Sequence, residues 1–259
     1  MALDTAVIPC GGLARRLRPV SYWVPKEMLP VGLKPLLYWA LDEVADAGLL
    51  HAIIVVNPHK PVVEAAARQY QGPLELEFVP QLAFRGLGDA LWCAREALAG
   101  SPFVVVQPDH LFDGVNGAAL VAAAYRSSGR SAALLAEVSG ASAASTGALG
   151  RATVEGLDHG VGRVTNLTAR GPSQARFDLA GAPRQLAPFG RVAYPGSVFS
   201  EFEIVRAGGP EGAELDDRPV LQRLAARGEL TGVVTTARAY DVGVPEGYRE
   251  AVAHWPAKV

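Results

Sequence analysis

Cysteine is scarce in this 259-residue chain: Cys10 and Cys93 lie far apart, and neither has a partner at metal-ligand spacing. This scarcity excludes a disulfide-stapled scaffold and a cysteine-ligated metal centre. Long apolar runs are also missing, since no stretch reaches the about 18 uninterrupted apolar residues of a membrane span. The N-terminus lacks a basic segment ahead of an apolar one. The sequence therefore predicts a reduced, cytoplasmic protein with no membrane span or signal peptide.

The chain also has no basic block, and its net charge is −2. Nucleic acid is therefore not an expected partner, because binding to phosphate backbones needs clustered positive charge. Hydrophobic residues make up 49% of the chain and charged residues 19%, which is typical of a globular protein with a sizeable core. The length fits one large α/β domain, with or without an appendage.

Strand and helix signals alternate along the first half, which predicts βαβ units and a mostly parallel sheet covered on both faces. From Ser139 to about Gly190, short strand-like pieces among Gly, Ala, Ser and Pro predict hairpins and loops attached to that sheet. The pattern predicts strands at 5–10, 52–57, 74–79, 103–109 and 131–138, helices at 35–48, 61–70, 87–98, 117–129 and 216–228, a strand and short helix over 190–205, and strand, turn and terminal helix over 231–255.

Three features fall where ligands bind in open α/β sheets, beyond the carboxyl ends of strands. The glycines and arginine of the 11–16 loop suit a phosphate, although an ordinary strand–helix turn with solvated arginines explains them as well. Lys26 could reach the same phosphates or be a surface lysine. Asp109 and Asp241, each after a strand-like run, suit Mg²⁺ or an ordinary turn. The Gly-x-Gly-x-x-Gly spacing is absent, which disfavours a dinucleotide oxidoreductase.

Together these motifs resemble the sugar-1-phosphate nucleotidylyltransferases, and most of all the bacterial UTP–glucose-1-phosphate uridylyltransferases. "PKEMLPV" followed by "KPLLYWALDE" is the most specific match, and the similarity resumes at "VPQLAFRGLGDALWCARE" and "FVVVQPDHL". Weaker matches are "FGRVAYPGSVF", "AELDD" and "AYDVGVPEGYREA". The resemblance implies a Rossmann-like, doubly wound α/β fold with an inserted β-rich acceptor region. It also implies one domain over 1–259, with a nucleotide-binding half to about 138 and an acceptor-binding half from about 139.

The resemblance also implies an activity and a set of site residues. A nucleoside triphosphate, with UTP or TTP favoured, would react with a sugar or cyclitol 1-phosphate and release pyrophosphate with the help of Mg²⁺. The acceptor oxygen would attack the α-phosphorus directly, and a homo-oligomeric assembly stays open. By position, the resemblance assigns Gly11, Gly12, Leu13 and Arg16 to the triphosphate, Lys26 to its phosphates, Gln81, Gly86 and Gly88 to the base, Asp109 and Asp241 to the metal, and Gly150 and Arg170 to the acceptor.

This chain departs from the family pattern at several places. Ala14 stands where the family has glycine, and a Cβ there fits only if the backbone avoids positive φ. Arg15 replaces a threonine, and His110 replaces a second acid, unless His110 merely caps a turn. The family's Glu-Lys pair for the sugar is missing between Gly150 and Gly190. We therefore expect an acceptor other than glucose 1-phosphate. The alternative is a non-catalytic nucleotide- or sugar-nucleotide-binding paralogue with a regulatory or assembly role.

Overall fold

The computed structural model describes residues 2–172, 174–210, 212 and 214–255. The strands of this part are β1 Thr5–Pro9, β2 Pro30–Val31, β3 Lys34–Pro35, β4 His51–Val56, β5 Glu75–Pro80, β6 Phe103–Val106, β7 His110–Phe112, β8 Ser131–Ser139, β9 Ala152–Asp158, β10 Val161–Leu167, β11 Arg184–Tyr194, β12 Leu230–Thr235 and β13 Ala239–Asp241. The α-helices are α1 Leu36–Asp46, α2 Pro61–Ala67, α3 Leu87–Cys93, α4 Arg95–Leu98, α5 Gly117–Ser128, α6 Gly140–Ala143, α7 Phe199–Gly208, α8 Arg218–Ala226 and α9 Pro245–His254.

A nine-stranded sheet forms the centre of the molecule, in the order β5-β4-β1-β6-β11-β8-β12-β10-β9. β1 pairs in parallel with β4 and β6, and β12 pairs in parallel with β8. Only β10 and β11 run against the other strands of this sheet. The predicted mostly parallel, doubly wound α/β fold is confirmed. Two small sheets, β2–β3 and β7–β13, lie outside the central one.

Successive residues of the central strands enter opposite hydrophobic layers, which is why these strands are apolar throughout. In β1, Ala6 and Ile8 pack in the layer that contains α1, α2 and α5. Val7 packs in the layer that contains α3, α4, α7 and α8. The sheet is therefore buried on both faces, and the carboxyl ends of its strands are left for a site.

The structure corrects some predicted boundaries. The predicted helix over 87–98 is divided at Ala94 into α3 and α4. The predicted strand over 103–109 ends at Val106, so Asp109 lies in a turn rather than on a strand. β11 begins at Arg184 and not near Gly190. Short β7 was not predicted, because its partner β13 is remote in sequence and no local pattern marks the pairing.

The β7–β13 pairing brings Asp241 close to Asp109. It is antiparallel, with His110 opposite Asp241, and the Val242 amide donates to the Asp109 carbonyl at 2.8 Å. The two expected metal acids, far apart in sequence, therefore meet at one point. No helix in the described part of the chain combines the length and apolar character that a bilayer crossing requires.

Candidate functional site

A cleft of about 620 Å³ opens at the carboxyl ends of β1, β5 and β6. Most of the predicted site residues line it, from both the loop after β1 and the loop after β5. Gly88, Gly150, Arg170 and Asp241 are not among the residues that line this cleft. The lining includes Gly11, Gly12, Leu13, Ala14, Arg15, Arg16, Lys26, Gln81, Phe84, Arg85, Gly86, Gln107 and Asp109.

Asn57 and Lys60 donate hydrogen bonds to the carbonyls of the glycine-rich loop. The buried Asn57 donates from Nδ2 to the Gly11 carbonyl at 3.0 Å, and Lys60 donates to the carbonyls of Gly12 and, at 3.4 Å, Cys10. The N–H of a trans peptide points away from its C=O. The amides of residues 11–13 therefore point away from Asn57 and Lys60, which is the arrangement of an anion-binding loop.

Lys60 is itself fixed by an acid that sequence reasoning missed. Its Nζ lies 3.2 Å from Oε2 of Glu27, whose side chain is fully buried beneath the loop. Glu27 belongs to the "PKEMLPV" motif, and Asn57 ends the predicted strand over 52–57. A polar residue at the end of an apolar strand was a usable signal for Asn57, whereas Lys60 had none.

Acids and bases of the predicted site converge around Asp109. Lys26 Nζ donates to Asp109 Oδ2 at 2.7 Å. A methyl group placed on Gly243 would lie 2.8 Å from that oxygen, 3.0 Å from Asp241 Oδ1 and 3.0 Å from Arg16 Nη2. Glycine at 243 therefore leaves the space in which the two carboxylates and the guanidinium approach one another.

Lys26 and Asp109 shift each other's pKa. Burial raises the pKa of Asp109, but the nearby positive charges, that of Lys26 first, and the hydrogen bond from Lys26 together outweigh it, so the pKa lies well below its usual range. For Lys26, burial lowers the pKa, but the charges of Asp109 and Glu27 and the hydrogen bond to Asp109 together raise it by more, so the net shift is upward. Lys26 and Asp109 therefore form an ionised pair at neutral pH.

Two carboxylates in this arrangement fit a divalent cation. Asp109 Oδ1 is buried and accepts no hydrogen bond from any residue that the structure describes. Asp241 Oδ1 and Oδ2 accept the amides of Gly243 and Gly147 at 3.0 and 2.9 Å, which fixes the carboxylate. Magnesium is bound in proteins through one or two carboxylates together with substrate phosphates. The oxygen donors present match that description.

His110 is packed and not solvated. Its ring lies edge-on to Phe189 at 5.2 Å, and Nε2 is 3.7 Å from Asp241 Oδ1. Burial lowers its pKa although the charges of Asp109 and Asp241 oppose the shift. The imidazole is therefore neutral at neutral pH, and the second acid of the family motif has been replaced by an uncharged group that begins β7.

Gln81 lies at the other end of the cleft, buried against the glycine loop. Its Nε2 donates to Asp89 Oδ2 at 2.8 Å and to the Gly86 carbonyl at 3.3 Å. A Cβ on Gly11 would lie 1.9 Å from Gln81 Oε1, so glycine is required at position 11. Arg85 holds the other oxygen of Asp89 through Nε and Nη2, at 3.1 and 2.8 Å.

The glycines of "RGLGDA" serve close packing of two loops. Gly86 has φ +100°, and a Cβ there or on Gly88 would lie 2.8 Å from the Leu215 carbonyl. Their freedom from a side chain lets the segment around Leu215 lie against the start of α3. Their predicted contact with the base stays a prediction.

The predicted acceptor residues, Gly150 and Arg170, lie outside the lining of this cleft. Arg170 donates from Nε to Asp216 at 2.9 Å and from Nη2 to Asp217 at 3.0 Å. Gly150 has φ +77°, and a Cβ there would lie 2.7 Å from the Thr168 carbonyl. Gly150 therefore supports the loop that carries Arg170. Sequence reasoning did not anticipate that two acids hold this guanidinium.

Ala14 takes the conformation that the sequence made unfavourable. Its φ is 47° and its ψ is 42°, in the left-handed region. The condition that the backbone avoid positive φ is thus not met. L-residues other than glycine pay roughly 1–2 kcal/mol in that region. The loop therefore keeps the left-handed conformation that glycine would favour, and Ala14 is strained in it.

Known proteins resemble this chain in sequence and in fold. The nucleotidyl transferase family matches residues 5–256. Two UTP–glucose-1-phosphate uridylyltransferases, of Salmonella typhimurium and Klebsiella pneumoniae, are 27% and 26% identical over 95% and 97% of this chain and 90% and 91% of theirs. The crystal structure of an apo UDP-glucose pyrophosphorylase has the same fold, with a TM-score of 0.80 and 23% identity over 97% of both chains. The chain therefore belongs to the nucleotidyl transferase family, as one of its sugar-1-phosphate nucleotidylyltransferases.

Proposed function

We propose that the protein transfers a uridylyl or thymidylyl group from UTP or TTP to a sugar or cyclitol 1-phosphate and releases pyrophosphate. One observation carries the proposal: a single cleft holds an amide for a base at one end and, at the other, Lys26 and Arg16 beside Asp109. The spacing suits a nucleotide whose base lies over Gln81 and whose phosphates follow the glycine loop. Similarity to uridylyltransferases across the chain supports it.

The reaction needs positioning and charge neutralisation rather than a general base, because the attacking phosphate is already an anion. An oxygen of the acceptor phosphate forms a bond to the α-phosphorus while the bond to the bridging oxygen of pyrophosphate breaks. Loop amides 11–13 would hold the phosphates, and Arg16 and Lys26 would offset the charge that grows on the leaving group. Asp109 and Asp241 would hold Mg²⁺, which supplies further positive charge at the same place.

We further propose that glucose 1-phosphate is not the natural acceptor. The chain lacks the Glu-Lys pair that the family uses for the sugar, and Arg170, at the place of that lysine, is tied to Asp216 and Asp217. Burial and the charge of Asp217 raise the pKa of Asp216. An acceptor phosphate would bind Arg170 in competition with these two acids. A site with such different polar groups should reject glucose 1-phosphate by a large factor, on the order of 10²–10⁵.

A pyrophosphate-release assay over a set of nucleoside triphosphates and a panel of sugar and cyclitol phosphates tests the proposal. We expect turnover with UTP or TTP and an acceptor other than glucose 1-phosphate. Asp109→Ala should lower it by about two orders of magnitude or more. If no pair releases pyrophosphate above the Asp109→Ala background, the proposed reaction is wrong. A kcat/KM of about 10⁴ M⁻¹s⁻¹ or more with glucose 1-phosphate would contradict the proposed acceptor.

A further inference from the structure

We propose that Asp89 and Arg85 make the protein select uracil or thymine over cytosine, by fixing which atom of the Gln81 amide faces the base. The inference rests on the nucleotide site proposed above and goes beyond it, since neither residue lies at a position that the family resemblance assigned. Gln81 would be the contact residue, and Asp89 and Arg85 would be positioning residues.

The orientation of the Gln81 amide follows from its neighbours. A carboxylate and a backbone carbonyl only accept hydrogen bonds. Gln81 faces one of each, Asp89 Oδ2 at 2.8 Å and the Gly86 carbonyl at 3.3 Å, on the same side. The NH₂ group must therefore point to that side. Both of its hydrogens are used there.

Arg85 holds the Asp89 carboxylate in place. Its Nε and Nη2 bind Asp89 Oδ1 at 3.1 and 2.8 Å, from the segment just before α3. The Asp89 carboxylate is 5% exposed and the Arg85 side chain 40% exposed. A buried carboxylate with one oxygen on a guanidinium and the other on an amide has little freedom to turn.

The remaining atom, Oε1, lies beside Gly11. No residue that the structure describes donates a hydrogen bond to it, and Gln81 and Gly11 both line the cleft. An acceptor at this place matches the N3–H of uracil or thymine. Cytosine has an unprotonated N3 that also accepts, so the two lone pairs would face each other. With its amide held in this orientation, Gln81 therefore favours uracil or thymine over cytosine.

Asp89→Asn tests whether Asp89 fixes the orientation of the Gln81 amide, and it hardly changes the volume of the side chain. Arg85 would still donate to the side-chain oxygen, which turns the new NH₂ group toward Gln81. Two NH₂ groups cannot bond, so the Gln81 amide is driven to rotate and present Nε2 to the base. The Gly86 carbonyl opposes this rotation. We therefore expect the preference for uracil to shrink rather than to reverse.

The measurement is the dissociation constant of UTP and of CTP by calorimetry, without acceptor, so that no turnover occurs. Wild type should bind UTP about tenfold or more tightly than CTP, the value of about one hydrogen bond. Asp89→Asn should bring the two affinities close together, mostly through tighter CTP binding. Glu64→Gln is the matched control, because Glu64 pairs with Arg68 at i,i+4 at 2.7 Å and these side chains are 36% and 60% exposed. It should leave the ratio unchanged.

Gln81→Met is a second variant that does not depend on how the substituted side chain at position 89 packs. It removes the amide, so UTP and CTP should bind with similar affinity. Equal binding by wild type, or a wild-type ratio kept by Asp89→Asn or Gln81→Met, overturns the inference. Such results leave the proposed reaction standing, provided that UTP binds. Failure of wild type to bind any pyrimidine triphosphate would instead overturn the proposed function.

Discussion

Replacing Lys26 with methionine should destabilise the ligand-free protein, because it leaves the Asp109 carboxylate charged and buried without its main partner. The two side chains meet at 2.7 Å and are 17% and 6% exposed. Methionine keeps most of the volume of lysine, so the change removes a charge and little packing. Any loss of stability therefore reports the ion pair.

The size of the loss follows from burial. Removing one partner of a buried ion pair costs about 3–5 kcal/mol, and the nearby guanidinium of Arg16 offsets part of this, so we expect about 3 kcal/mol. For a chain of this size each kcal/mol shifts Tm by roughly 2–4 °C, which gives a decrease of roughly 6–12 °C. Acidification should remove the same contribution. Because Asp109 has a lowered pKa in the folded state, its stabilisation is present at neutral pH and is lost as the pH falls below the unfolded value.

Urea and thermal unfolding at pH 7 with a chelator measure the effect. Lys34→Met is the matched control, since Lys34 pairs with Asp42 at 2.6 Å but the side chains are 43% and 29% exposed. It should cost about 1 kcal/mol or less. The double variant Lys26→Met/Asp109→Asn should regain stability relative to Lys26→Met, because no buried charge is left. Equal losses for Lys26→Met and Lys34→Met would refute the reasoning, as would a double variant no more stable than the single.

Three further outcomes are expected. Ala14→Gly should raise the free energy of unfolding by up to about 1 kcal/mol, since relief of left-handed strain exceeds the added chain entropy, and a lower Tm would contradict this. Lys60→Met should raise the KM for the nucleotide about tenfold, because the carbonyls of Cys10 and Gly12 lose the donor Lys60, while Lys34→Met should not; an unchanged nucleotide KM would show that the loop does not depend on Lys60. Asp216→Asn should flatten the stability profile between about pH 4 and 7: burial raises the pKa of Asp216 to about 7, so the folded state holds that proton more tightly and wild type loses stability as the pH rises.

Much of the site was predictable because its residues follow strands in sequence. Gly11, Gln81 and Asp109 each come soon after a predicted strand, at the ends of β1, β5 and β6. The carboxyl ends of parallel strands meet at one edge of a sheet, so local patterns alone bring these residues together. Once the central strands are predicted, the position of the cleft at their carboxyl ends follows.

The rest depended on pairings between remote segments. Lys60 with Glu27 and Arg170 with Asp216 join residues tens of positions apart, and nothing in the local pattern of either partner marks the other. Tertiary register decides such contacts, as it does for the β7–β13 ladder that sets Asp241 beside Asp109. A sequence shows that a charged residue is present. Only the fold shows whether that charge is available to a ligand or already neutralised.

That distinction matters most around Asp109. Asp109 and Asp241 are faced there by Lys26 and Arg16, and the neutral His110 adds no charge, so the site is balanced before any ligand binds. A triphosphate that draws Lys26 and Arg16 onto its own oxygens would leave two buried carboxylates unpaired, which is costly. We expect nucleotide binding to this chain to be coupled to uptake of a divalent cation for that reason. With Lys26→Met the coupling should weaken, because the cation could then bind the two acids without displacing an ammonium group.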